Sequence, residues 1–89
     1  MSSPPPDPAA LREENLLMRR LRHLIALTTA ELSVGDHGLT EAEAIIERTR
    51  RAVLTMFPGK ESTFELIYRP RFVRILQERY GSSSGETLQ

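Results

Sequence analysis

The sequence contains no cysteine, and Lys60 is its only lysine beside eleven arginines. Without thiols there is no disulfide, no thiolate metal site and no cysteine nucleophile, a composition that fits a reducing compartment. We therefore expect a cytoplasmic protein. No apolar run approaches the roughly 20 residues of a membrane-spanning helix, and residues 1–7 have neither the basic nor the apolar region of a signal peptide. An excess of charge is also missing. Twelve Lys and Arg balance twelve Asp and Glu, so no long-range field draws the whole molecule to nucleic acid or to an anionic membrane. Any basic site has to be local. No stretch alternates apolar and polar residues as a half-buried strand does, and no internal repeat is present, which leaves helices.

The clearest helix covers residues 40–57. Ala42, Ile45, Ile46, Thr49, Ala52, Val53 and Met56 recur there at steps of three and four, one stripe that has to be buried. Thr40 and Glu43 have capping-box spacing at its start. Pro58 and Gly59 end it, because proline cannot continue the ladder and pushes Phe57 out of the α region. Ahead of it, Asp7 as N-cap and Pro8 at the first helical position open a helix that runs to about Ser33. Its core stripe is Leu17, Met18, Leu21, Leu24, Ile25, Thr28 and Leu32; Arg12, Arg19, Arg22 and His23 gather opposite, and Leu16 and Leu27 fall off both faces. Residues 34–38, with two glycines around Asp36 and His37, make the turn that sets these helices antiparallel.

Ser62 and Glu65 repeat the capping spacing and start a third helical stretch that contains Pro70. That helix is expected to be kinked or split at the proline, with the split preferred. Phe64, Ile67, Tyr68, Phe72, Ile75 and Leu76 keep helical phase across it, and Gly81 is expected to close the last turn. The predicted fold is an all-α three-helix bundle over residues 7–81, between a disordered Pro-rich lead (1–6) and a disordered Ser/Gly-rich tail (82–89).

Little catalytic chemistry survives inspection. Residues 81–85 match G-x-S-x-G, yet a nucleophile elbow needs a strand before it and an acid and a histidine after it. Gly59-Lys60 lacks both defining neighbours of a phosphate-binding loop. His23 and His37 would need Asp36 or Glu41 to complete a metal site, so no metal and no cofactor is expected. Glu13/Glu14 and Glu41/Glu43 read as acidic residues complementing helix N-termini.

What stands out is a second apolar row on the third helix, Leu66, Pro70 and Val73, flanked by Arg69, Arg71 and Arg74. A helix apolar on two sides is central to its fold or shared with another chain. Together with Leu16 and Leu27, these residues are the candidate protein interface. The expected function is a non-enzymatic protein–protein interaction or regulatory module, a homodimer or bound to another protein, with no membrane role. The alternative is a nucleic-acid-binding accessory protein that uses the same arginines on phosphate. A proline in the supposed recognition helix and only four Arg against two Glu over residues 62–81 weigh against it.

Overall fold

The computed structural model describes residues 7–81, and the two termini expected to be disordered lie outside the described residues. Among the described residues there are three helices and no strand, the all-α bundle expected from the sequence. The first, α1, spans Pro8–Val34, and the second, α2, spans Leu39–Met56. The third, α3, covers residues 61–81 as one run of joined pieces: an α turn Glu61–Thr63, a π stretch Phe64–Tyr68, an α run Arg69–Leu76 and a second π stretch Gln77–Gly81.

The ends follow local chemistry, with instructive shifts. Asp7 caps α1 as expected, its carboxylate accepting from Ala9 N–H at 3.4 Å, with Pro8 at the first position. The N-cap of α2 lies two residues before the expected Thr40. Extended Gly38 is the N-cap, and Glu41 rather than Glu43 folds back to accept its N–H at 3.0 Å. Phe57 leaves the α region before Pro58, and Gly59 turns the chain at φ +87°, a conformation that favours glycine. The capping box expected at Ser62 does not form. Lys60 precedes the first helical residue, and Glu65 is taken up by arginines instead.

Thr28 meets Thr49 and Glu31 meets Arg48, so α1 and α2 run antiparallel; Glu61 meets Arg50 and Arg69 meets Glu47, so α3 reverses again. Leu21, Leu32, Ala42, Ile45, Ile46, Val53, Phe64, Phe72 and Leu76 form the core between them. Its two polar members satisfy each other. Thr49 donates to Ile45 O at 2.9 Å, which leaves Thr28 to donate to Thr49 Oγ1 at 2.9 Å.

Pro70 does not split α3; the joined pieces fit the other expected form, a third helix kinked there. Tyr68 and Arg69 keep helical dihedrals, and Arg69 N–H reaches back five residues to Phe64 O. That wider turn gives the pyrrolidine ring room that a regular α turn denies it. The core residues explain why the helix is underwound. Phe64, Tyr68, Phe72, Leu76 and Tyr80 recur every fourth residue, and at 100° per residue each step drifts by about 40° in an ideal α-helix. Over four steps Tyr80 would end up about 160° from Phe64. Both instead lie on the core side, because the π stretches absorb the drift. The same unwinding turns Ile67, expected in the core, outward to 46% exposure.

Candidate interaction surface

On the outer face of α3, Leu66 is 74% exposed, with Ile67, Pro70 and Val73 exposed beside it. Arg71 and Arg74 are exposed next to this row, Arg71 lying over the Tyr68 ring at 5.8 Å. Arg69 is placed differently from its neighbours. It donates to Glu47 at 2.8 Å and Glu65 at 2.5 Å and stacks over Phe64 at 5.6 Å, so it ties α3 to α2. Glu65 also accepts from Arg50 at 3.1 Å, and Arg50 reaches Glu61 at 2.9 Å. The Arg69 guanidinium holds the Glu65 carboxyl below its ordinary value, with partial desolvation opposing and Arg50 assisting. Glu65 and Glu47 in turn raise Arg69.

Leu16 and Leu27 lie exposed on α1, at 44% and 56%. Leu27 borders a shallow depression with Arg19, Arg20, His23 and Leu24. Beyond them, residues 8–20 of α1 form an arm in which no residue is fully buried, and Leu11 and Met18 are exposed along with Leu16. Where the arm leaves the bundle, the core opens into a groove of about 360 Å³. Met18, Leu21, Val53, Phe57, Phe64 and Tyr68 line it, with Glu14 and Lys60 among its charged lining.

At the opposite end, α3 clasps the α1–α2 turn. Arg79 donates to Leu32 O at 2.8 Å and to Gly35 O, carbonyls at and just past the end of α1. His37 Nε2 donates to Glu31 O at 2.8 Å, so its 3.5 Å approach to Arg79 is no hydrogen bond. The Tyr80 hydroxyl lies 2.8 Å from His37 Nδ1 and 2.6 Å from His37 O. Gly35 has to be small, since a Cβ there would sit 2.4 Å from Glu31 O. None of these roles was assigned to His37, Arg79 or Tyr80 from the sequence; the four-residue repeat ending at Tyr80 is the signal that points to it. Among the described residues, no group of three or more His, Cys, Asp or Glu is placed to hold a metal ion, and no helix is long and apolar enough to cross a membrane. No protein-family model matches the chain, and no curated protein or solved structure is similar enough to count as a match.

Proposed function

We propose that the protein is a non-enzymatic helical interaction module that self-associates through α1 and offers the outer face of α3, Leu66, Pro70 and Val73 beside Arg71 and Arg74, to another protein. The observation that carries this reading is the groove beside the α1 arm, where the apolar core opens to solvent instead of being closed by the chain's own residues. A domain of this size has little core to spare, and covering such an opening with a second chain stabilises it. The cysteine-free composition supports the cytosol as its compartment.

Sedimentation of the full chain should show a dimer at roughly tens of micromolar, the range where modest interfaces associate. A monomer throughout would remove self-association. Nucleic-acid binding makes the opposite demand on salt, since phosphate contacts release counterions and weaken steeply as salt rises. A shift of duplex DNA at moderate salt, lost in Arg71→Ala or Arg74→Ala but kept in Val73→Glu, would replace this reading with the phosphate-binding one.

A further inference from the structure

The charges of the α1 arm are set apart from those of the rest of the protein. Each ion pair among the described residues joins groups between Glu31 and Arg69. Arg12, Glu13, Glu14, Arg19, Arg20 and Arg22 pair with nothing there. Nor does the helix dipole account for the acids. The α1 helix begins at Pro8, so Glu13 and Glu14 stand in its second turn, beyond the orphan N–H groups that acidic residues complement.

Their spacing has an order. Glu13 and Arg20 are seven residues apart, two helical turns, and so lie above one another on one flank of the arm. The adjacent face, toward which the buried Leu21, Thr28 and Leu32 point further along, carries Ala10, Leu17 and Met18, and here none of it is fully buried by another helix. An antiparallel pair of such arms brings like flanks together. A two-fold axis near Leu16 and Leu17 then sets Glu13 of each copy beside Arg20 of the other, whereas parallel arms bring opposite flanks together and keep Glu13 and Arg20 of the two copies apart.

Resting on the self-association proposed above, we infer that the occupant of the groove is the arm of a second copy of this chain. The two α1 arms pair antiparallel, Glu13 against Arg20 in both directions, and Leu11 of each copy enters the groove of the other. Thirteen residues of arm are about 20 Å long at 1.5 Å per residue. With the axis near Leu16 and Leu17, Leu11 of one copy lies level with Leu21 and Arg22 of the other, at the mouth of the groove that Leu21 lines. A leucine side chain fits easily in about 360 Å³.

Equilibrium sedimentation of full-length variants tests this. Glu13→Arg and Arg20→Glu are each expected to weaken the homodimer at least about tenfold, since each replaces two attractive contacts by two repulsive ones. An equimolar mixture of the two should recover wild-type affinity, because arginine at both positions 13 and 20 of one arm then faces glutamate at both positions of the other. Leu11→Glu should weaken association about a hundredfold, the scale of a charge placed in an apolar pocket. Val73→Glu should leave it unchanged. All four positions are exposed, so the helical circular dichroism of every variant should match wild type. A dimer that ignores Glu13→Arg and Arg20→Glu, or that falls apart only with Val73→Glu, overturns the arm pairing and leaves self-association standing. A wild-type monomer ends both.

Discussion

Replacing Arg79 tests whether the clasp at the far end of the bundle holds α1 and α3 together. Its guanidinium donates to Leu32 O and Gly35 O, and α1 has no basic residue of its own in its last turn. Arg79 thus serves as a C-cap supplied by another helix. A hydrogen bond from a charged donor contributes about 1.5–3 kcal/mol, and a cation at a helix C-terminus adds about 0.3–1 kcal/mol. Arg79 is only half-buried, so water recovers part of this on truncation. Arg79→Ala should cost about 2–3 kcal/mol. Arg79→Lys keeps the charge but loses the fork that spans two carbonyls, and should cost about half as much. Urea unfolding at one low protein concentration separates this from linked association. An Arg79→Ala variant within about 0.5 kcal/mol of wild type, the range of ordinary surface changes, would refute the argument.

Gly35→Ala should destabilise by about 1–3 kcal/mol, because its Cβ would meet Glu31 O at 2.4 Å and His37 Cδ2 at 2.8 Å; thermal melting checks it. The depressed Glu65 pKa contributes stability above the unfolded carboxylate range, near pH 4.3, and that contribution fades as pH falls through the lower folded value. Wild type should therefore lose more stability than Glu65→Gln between about pH 5 and pH 3, and parallel acid titrations of the two would contradict this. Thr49→Val strands the buried Thr28 hydroxyl and should cost about 1–3 kcal/mol, whereas joining it with Thr28→Val should recover most of the loss. A double-mutant cycle with no coupling would show that the two hydroxyls do not depend on each other.

The helices of this protein are written locally. Asp7-Pro8, the glycines around His37 and the Pro58-Gly59 break mark ends by backbone preferences that need no tertiary partner. The stripes through Leu21, Ile45 and Phe72 assign each helix its buried side. Capping was legible in kind but not in place, since Glu41 and Glu43 are both able to fold back, and the start of α2 at Leu39 puts Glu41 at the position that does so. The outer row Leu66, Pro70 and Val73 was readable for the same reason as the core, because helical phase alone sets which side a residue takes. What tertiary structure decided is whatever depends on contacts between distant segments. Pro70 could be accommodated without a break because the repeat from Phe64 to Tyr80 favours an underwound helix, and only packing against α1 and α2 repays that unwinding. Arg69 reads as a surface charge until α2 brings Glu47 to meet it. Arg79 and Tyr80 are 44 and 43 residues from Gly35 and His37, so no local pattern could join them. The α1 arm is the converse case: Leu17 and Met18, assigned to the core from the sequence, fall in residues 8–20, where the shorter α2 leaves no residue fully buried. Local preference chooses the helix and its apolar face, but only the lengths and crossings of the other helices decide where that face is buried.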